Sequence, residues 1–154
     1  MIEYLVNEPN TLDVKEVLRF LKETDSLVKP SLSTLVDLEE YSKKIVSKAV
    51  IFTARDNGEL IGLTAIYFNK APEYSYSTYT VVKREYQIVE MVGVEMSKMV
   101  RDYAKGNGSA GLRYEIRKSN KPLLRYHLRR GAKIIEERLY PGTDIVSLLM
   151  EITY

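Results

Sequence analysis

The sequence predicts a mixed α/β fold in which four helices alternate with about seven strands of one sheet, and three observations support it. The chain has 154 residues, the usual length of one domain, so residues 1–154 are predicted to form a single domain. The spacing of apolar residues switches between helical and strand-like periods along the chain. Two helical patterns, after residues 82 and 118, each follow a strand pattern directly, as in strand–helix units of a sheet.

The N-terminal third of the chain predicts one strand followed by two helices. The segment IEYLV is strand-like, and Thr11 or Asp13 is available as the N-cap of the helix that follows. The apolar residues of that helix have helical spacing: Val14, Val17, Leu18 and Leu21. Pro30 separates this helix from a second one. The second helix is marked by Leu35, Leu38, Tyr41 and Ile45.

The middle of the chain predicts three strands. AVIFTAR and ELIGLTAIYF flank Asn57-Gly58, which is a strong hairpin signal. A type I′ turn needs positive φ at both central residues, and Asn and Gly tolerate this best. The segment YSYSTYTVV alternates small polar residues with aromatic ones, so it is predicted to be a third strand.

The C-terminal half predicts two strand–helix units and a final hairpin. Gly106 and Gly108 end a long helix whose apolar face is formed by Val89, Val92, Met96, Met99, Val100 and Tyr103. GLRYEIRK is a strand, and a helix spans about residues 120–130. AKIIEERLY and DIVSLLMEITY then pair across a Pro141-Gly142 turn. The last segment is apolar on both faces, so it is buried on both or covered by a partner. The complete order is β-α-α-β-β-β-α-β-α-β-β.

Composition narrows the classes of function. The net charge of +2 is too small for a general nucleic-acid coat. Residues 113–133 are nevertheless strongly basic, with Glu115 as their single acid, and form either a solvated surface or a local site for a small polyanion. The absence of cysteine excludes disulfides and thiol nucleophiles. With no apolar run long enough to cross a membrane and no pattern of metal ligands, we expect a cytoplasmic protein without metal.

The segment IRKSNKPLLRYHLRRGAK, together with the element order, resembles the GNAT superfamily of acyl-CoA-dependent N-acetyltransferases. The family has a strand ending in Ser-Asn, a short helix that carries a tyrosine, and then Gly-Phe. Asn120 and Gly131 match this pattern, whereas Ala132 replaces the phenylalanine. The position of the family tyrosine falls on His127, with Tyr126 one residue earlier. The resemblance implies a mixed, mainly antiparallel sheet of about seven strands flanked by four helices.

A second signature resembles the family's pyrophosphate loop and is degenerate. The loop follows a strand ending in valine, and it corresponds here to VKREYQIVEMVG, residues 82–93. Glu90 and Val92 stand where the family has small residues, and Gly93 comes one residue late. We expect Val92 to take up space near the diphosphate, and the charge of Glu90 to repel it by on the order of 1–4 kcal/mol.

The resemblance implies binding of acetyl-CoA by the loop, by the strand before it and by the second strand–helix unit. The implied cofactor-binding residues are Val81, Val82, Gln87, Ile88, Val89, Glu90, Met91, Val92, Gly93, Asn120 and Arg125. Backbone N–H groups at the start of a helix favour a phosphate, and the arginines of the basic segment add positive charge. A backbone N–H on the strand ending at Val82 would hold the oxyanion of the reaction.

The resemblance also implies direct attack of an amine on acetyl-CoA, with no acyl-enzyme. His127 would take the role of the family tyrosine and protonate the leaving thiolate, because an imidazole titrates near neutral pH. The alternative interpretation is a histidine that packs at the rim of the core, and Tyr126 is the alternative proton donor. On the acceptor side, where a base is needed, Glu73 is the carboxylate candidate. The tyrosine candidates, each of which could equally be a packing residue of the sheet, are Tyr67, Tyr74, Tyr76 and Tyr79.

Two functions therefore remain open at the level of sequence. The first is an N-acetyltransferase that acts on a primary amine of a small molecule, a sugar or a protein. The second is a binding or regulatory module of the same shape that has lost acyl-CoA catalysis, which the missing loop glycines favour. We expect no nucleic-acid or membrane partner, and a homodimer through a sheet edge is plausible.

Overall fold

The computed structural model describes residues 1–68, 74–87 and 91–154. The strands are β1 (Ile2–Asn7), β2 (Val50–Asp56), β3 (Glu59–Tyr67), β4 (Tyr74–Val82), β5 (Gly111–Arg117), β6 (Lys133–Leu139) and β7 (Val146–Thr153). The helices are α1 (Val14–Thr24), α2 (Leu38–Lys48), α3 (Val92–Gly106) and α4 (Lys121–Arg129). The predicted order of elements is confirmed.

The seven strands form one sheet in the order β1-β2-β3-β4-β5-β7-β6. Every neighbouring pair is antiparallel except β4 and β5, which run parallel. The predicted fold class, a mixed and mainly antiparallel sheet of seven strands with four helices, is therefore confirmed. The parallel pair requires a crossover, and α3 supplies it.

The helices cover the two faces of the sheet in pairs. Residues of α1 and α2 form one core cluster with inward residues of β2, β3 and β4. Residues of α3 pack on the opposite face of the same strands, and α4 contributes Leu124 to a smaller cluster on β5 and β7. We refer below to the α1/α2 face and the α3/α4 face of the sheet.

Local chemistry explains several boundaries. Asp13 caps α1 by accepting a hydrogen bond from the backbone N–H of Lys15 at 3.0 Å, so Asp13 rather than Thr11 is the N-cap. Asn57 and Gly58 have φ values of 51° and 86°, which confirms the predicted hairpin turn between β2 and β3. The second helix begins later than predicted, because Leu35 closes a short 3-10 turn before it.

The final hairpin is confirmed, but β7 is an interior strand. It lies between β5 and β6, and residues 147–150 are buried. The chain itself therefore covers both faces of this part of the segment, and no partner is needed there. The edge strand next to β7 is β6, in which Ile134, Ile135 and Leu139 are exposed. A homodimer remains a prediction.

No helix in the described ranges is long and apolar enough to cross a membrane. The same ranges contain no cluster of three or more side chains that could hold a metal ion.

Candidate active site

A gap opens in the middle of the sheet, between the parallel strands β4 and β5. The two strands pair only at their beginnings, where residues 74–76 lie opposite residues 111–113. Beyond that point β4 continues to Val82 paired only with β3, and β5 continues to Arg117 paired only with β7. The gap therefore begins next to Arg113 and widens toward the C-terminal ends of both strands.

Backbone groups of β4 point into this gap. The N–H of Lys83 donates to the carbonyl of Ile61 on β3 at 2.8 Å, so the preceding residue points its backbone groups the other way. The carbonyl of Val82 indeed accepts a hydrogen bond from Nε2 of Gln87 at 2.9 Å. The N–H of Val82 points to the same side, and the side chain of Val81 is buried on the α1/α2 face.

A β-bulge in β4 changes the direction of side chains beside the gap. Ala65 pairs with Tyr79 and Ile66 pairs with Ser77, so Thr78 has no opposite residue on β3. Thr78 is hydrogen-bonded to the hydroxyl of Tyr41 on α2 at 2.6 Å. Tyr79, the next residue, also packs on the α1/α2 face. Two consecutive side chains thus line the same side of the gap.

The N-terminus of α3 lies at the end of the loop that follows β4, and no side chain of the described residues caps it. Its N-cap residue, Met91, is exposed and has a φ of 52°. Within the described ranges the N–H groups of the first turn therefore have no side-chain acceptor, whereas an anion would satisfy them. A Cβ added to Gly93 would meet nothing within 4 Å, so the space next to this turn is open.

The expectation that Val92 takes up space near a diphosphate is wrong. Val92 has no exposed surface and packs with Met96 in the core between α3 and the sheet. The rotation of α3 points this side chain inward, so only its backbone N–H is available at the helix end. Gly62 permits the close approach of β3, because a Cβ there would lie 3.0 Å from the sulfur of Met96.

Four predicted site residues lie outside the described residues: Glu73, Ile88, Val89 and Glu90. Within the described part of the loop, Tyr86 donates its hydroxyl to Asp56 at 2.6 Å. Gln87 is held by its bond to Val82. These two contacts fix the start of the loop against the ends of β2 and β4.

His127 faces the sheet and contacts Tyr114 of β5. Its Nδ1 lies 2.8 Å from the hydroxyl of Tyr114, and the two ring centroids are 4.9 Å apart. Tyr114 directly follows Arg113, so this pair sits where β4 and β5 separate. Burial, with the nearby charge of Arg130, lowers the pKa of His127 from its ordinary value of 6.5. Burial raises the pKa of Tyr114 to about 12.

The other predicted residues of α4 are arranged differently. Tyr126 is exposed and packs edge-on against the ring of His127 at 5.1 Å. Arg125 and Leu128 are both exposed, although Leu128 directly follows the half-buried His127. This helix end lies at the edge of the sheet, where the neighbouring strand β6 is itself exposed.

Asn120 has a structural contact of its own. It is the N-cap of α4, and its side chain accepts a hydrogen bond from the N–H of Leu123 at 3.3 Å. Gly131 has a φ of 94°, which explains a glycine at the end of this helix. Ala132 is buried in the cluster under α4, where the family has phenylalanine. Cofactor binding by Asn120 remains a prediction.

The predicted acceptor tyrosines divide into two groups. Tyr67, Tyr76 and Tyr79 belong to the core cluster of the α1/α2 face. Tyr74 instead contacts Thr153 at 3.0 Å and lies under the guanidinium of Arg113. Tyr74 therefore helps to join β4, β5 and β7 at the closed end of the gap.

Sequence reasoning missed the polar side chains that β5 presents beside the gap. Tyr114 shares the α3/α4 face of the strand with the core residues Leu112 and Ile116, a position that by itself indicates packing. Glu115 and Arg117, on the other face, were counted only as part of a basic segment. The alternation of side chains along the strand could have identified them, because it points Tyr114 to one face of β5 and Glu115 and Arg117 to the other.

Two cavities lie at the C-terminal end of α1. One, of about 270 Å³, is lined by residues that include Glu16 and Lys83. The other, of about 390 Å³, lies between residues 23–27 and residues 83–85. Neither cavity includes His127 or the first turn of α3, so the candidate site is the open gap and not these cavities.

Solved structures of acetyltransferases share this fold. An N-acetyltransferase from Staphylococcus aureus Mu50 superposes with a TM-score of 0.77 at 19% identity, covering 99% of this chain and 97% of that one. The ribosomal-protein-S18-alanine N-acetyltransferase from Escherichia coli gives 0.74 at 15% identity, covering 98% and 94%. A GNAT family acetyltransferase from Elizabethkingia anophelis with acetyl-CoA bound gives 0.69 at 17% identity, covering 99% and 98%.

No protein-family model and no curated protein matches the sequence. The structural similarity extends over nearly the whole of each compared chain, at identities below 20%. The resemblance to the GNAT superfamily is confirmed at the level of the fold.

Proposed function

We propose that this chain, which has the GNAT fold, transfers an acetyl group from acetyl-CoA to a primary amine by direct attack. The observation that carries the proposal is the position of the gap between β4 and β5. It leads from the region of the uncapped N-terminus of α3 to the Tyr114–His127 pair. This arrangement supports a binding site for an acyl carrier and a proton donor along one opening in the sheet.

The residues that are present fit acetyl-CoA. The uncapped N–H groups in the first turn of α3 can bind its diphosphate, and the open space beside Gly93 lets it approach. Val92 does not obstruct this position, because its side chain is buried. The pantetheine arm of acetyl-CoA would carry the thioester along the gap.

The end of β4 is suited to stabilise negative charge. The N–H of Val82 points into the gap, away from β3, and Gln87 already binds the carbonyl of the same residue. A backbone donor in a fixed strand stabilises an oxyanion without having to reorganise. Val82 therefore supplies the oxyanion donor in this proposal.

In this proposal Nε2 of His127 gives the leaving thiolate its proton while Nδ1 takes the hydroxyl proton of Tyr114, so the ring stays neutral. The nitrogen that forms the amide then returns a proton to Tyr114. A lowered pKa keeps the imidazole of His127 neutral near pH 7, so one ring nitrogen carries a proton and the other accepts. Nδ1 lies 2.8 Å from the hydroxyl of Tyr114. We assign the hydroxyl as the donor of this hydrogen bond, which puts the ring proton on Nε2. Tyr114 then selects this tautomer and supplies the proton that Nδ1 takes up.

The function is tested by titration calorimetry with acetyl-CoA and by thiol release in the presence of a panel of amines. We expect binding of acetyl-CoA, and amine-dependent release of CoA that falls by about 10²–10⁴-fold in His127→Phe. Tyr126→Phe is the matched control, since Tyr126 is the exposed neighbour of His127. Equal losses in both variants would show that proton donation is not specific to His127.

The alternative, a binding or regulatory module without catalysis, is decided by the same titration. If millimolar acetyl-CoA gives no heat of binding, the acetyltransferase proposal is wrong. In this proposal the acceptor amine belongs to a small molecule, a sugar or a protein. A cytoplasmic location of the protein remains an expectation.

A further inference from the structure

We propose that Arg117 binds an anionic oxygen group, a carboxylate or a phosphate, carried by the acceptor next to its amine. This inference rests on the proposed acetyltransferase function and names the chemical class of its acceptor. It is drawn from Arg117 and the polar side chains around it on the α1/α2 face beside the gap.

Arg117 is a half-buried cation that has no directly paired carboxylate among the described residues. Its Nη1 donates to the hydroxyl of Tyr140 at 3.2 Å and to Oγ of Ser147 at 3.1 Å, and its guanidinium lies 4.8 Å from the ring centroid of Tyr140. Its Nε is buried and has no hydrogen-bond partner among the described residues. In the same ranges, no carboxylate lies within 4.0 Å of it.

The neighbouring carboxylates are bound to other residues. Arg113 is paired with Glu151 at 3.0 Å. Arg138 is paired with Glu115 at 3.0 Å, and the other oxygen of Glu115 accepts from Tyr140 at 2.6 Å. Arg138 is also paired with Glu136 at 2.9 Å, and Arg117 reaches Glu115 only through the hydroxyl of Tyr140. Among the described residues, Arg117 is therefore the arginine of this cluster that has no direct ion pair. A half-buried charge gains from a direct counterion, which a ligand can supply.

The position of Arg117 connects this charge to the reaction. Arg117 is the last residue of β5, in the part that no longer pairs with β4, so it stands on one wall of the gap. It pairs with Ser147 on the α1/α2 face, opposite to the face of Tyr114 and His127. A ligand that enters from the α1/α2 face would thus approach the gap from the side away from the proton donor.

A second buried polar atom without a partner lies on the same face. The hydroxyl of Tyr79, on the β4 wall, is buried and makes no hydrogen bond with the described residues. Tyr76, at the closed end of the gap, is close enough to both Arg117 and Tyr41 to interact with each electrostatically. Tyr41 in turn packs against Tyr79. Tyr79 and Arg117 thus each offer a buried polar atom that a ligand on the α1/α2 face can satisfy.

The geometry of the guanidinium favours an oxyanion. With Nη1 occupied, the edge formed by Nε and Nη2 has no partner among the described residues. This edge is a planar fork that matches two oxygens of a carboxylate or a phosphate. The acceptor is therefore an amine whose acidic group docks on Arg117 while its nitrogen reaches the gap.

Matched pairs of probes test this inference. L-lysine is compared with cadaverine, L-phenylalanine with phenethylamine, and glucosamine 6-phosphate with glucosamine, by thiol release and by calorimetry without acetyl-CoA. We expect at least one acidic member to exceed its neutral partner by tenfold or more in kcat/KM or in affinity. The pair that responds distinguishes a carboxylate from a phosphate.

Three variants connect the preference to Arg117. Arg117→Gln should reduce the ratio between acidic and neutral probes to about one, while acetyl-CoA affinity is unchanged. Arg117→Lys keeps the charge but loses the fork, so it should retain only part of the preference. Arg113→Gln is the matched control on the same strand and face, and it should keep the preference. Thermal unfolding of each variant checks that it folds. If Arg117→Gln does not fold, the result for Arg117→Lys decides the test.

The proposal is overturned if no acidic probe is preferred tenfold, or if the preference survives in both Arg117 variants. Failure of the acetyltransferase function is a separate result, because it appears as an absence of acetyl-CoA binding. The titrations of the probes without acetyl-CoA still report on Arg117 in that case.

Discussion

At the scale of single residues, burial determines what each ionisable side chain can do. His127 is half-buried beside Tyr114, and its lowered pKa favours the neutral imidazole. The same arrangement lowers the stability of the protein at acidic pH, because His127 binds a proton less readily in the folded protein than in the unfolded chain. A histidine selected only for packing would also lower the stability in this way, so the pH dependence of stability and the loss of catalysis are separate measurements.

The stability of the protein should fall as the pH drops below 6.5, the ordinary pKa of histidine. In that range the unfolded state binds a proton at position 127 that the folded state does not bind, so the free energy of unfolding decreases until the pH passes the lowered pKa. His127→Gln should remove this part of the decrease. Urea unfolding from about pH 8 to about pH 5 measures it, and identical slopes for both proteins would contradict the lowered pKa.

A tight contact at Gly111 maintains the closed end of the gap. A Cβ at this position would lie 2.1 Å from the carbonyl oxygen of Ile152 and 2.7 Å from the ring of Tyr74. The side chain of Tyr74 can move, but the backbone of β7 cannot move without breaking its pairing with β5.

Gly111→Ala should therefore destabilise the protein by at least about 2 kcal/mol, as expected for overpacking against backbone. Gly106→Ala is the control, because nothing lies within 4 Å of a Cβ at the end of α3. The control should be neutral or stabilising by up to about 1 kcal/mol. Equal midpoints of urea unfolding for the two variants would show that the strands can separate at no cost.

At the scale of elements, α3 combines packing with a charged end. Its inner face is fixed by Val92, Met96 and Val100, which are buried against the sheet. Its first turn presents N–H groups without a cap. The macrodipole makes this end attractive for any anion, whether it is a ligand or a side chain.

Gly93→Asp separates the contribution of this helix end to stability from its contribution to acetyl-CoA binding. The new carboxylate should stabilise the fold by about 0.3–1 kcal/mol through the dipole and through release from glycine. It should also weaken acetyl-CoA binding at least tenfold, because it repels a diphosphate. Gly93→Asn, of nearly the same shape, is the control for charge. A variant that gains stability without any loss of acetyl-CoA affinity would place the diphosphate elsewhere.

At the scale of the whole molecule, the gap joins the two faces of the sheet. The α3/α4 face carries the proposed donor site, and the α1/α2 face carries Arg117 and the tyrosines. Both sites depend on the separation of β4 and β5, which the pairing of β5 with β7 keeps open. A ligand that bridges the two strands should stabilise the folded state as a whole.

Acetyl-CoA should raise the midpoint of thermal unfolding. At a concentration one hundred times its Kd, binding to the folded state alone adds about 2.7 kcal/mol to the free energy of unfolding. Differential scanning calorimetry with increasing acetyl-CoA measures the effect, and adenosine is the control without phosphate. An unchanged midpoint at millimolar acetyl-CoA would contradict the proposed site.

The sequence by itself determined the order of elements, the hairpin at Asn57-Gly58 and the position of His127 on the inner side of a short helix. These features depend on local period and turn chemistry, which neighbouring residues specify. Tertiary structure decided the inward rotation of Val92, the contact between Tyr114 and His127, and the lack of a direct ion pair between Arg117 and any carboxylate of the described residues. Each of these depends on how far a helix turns or on which distant strands pair, and no local pattern in the chain encodes that.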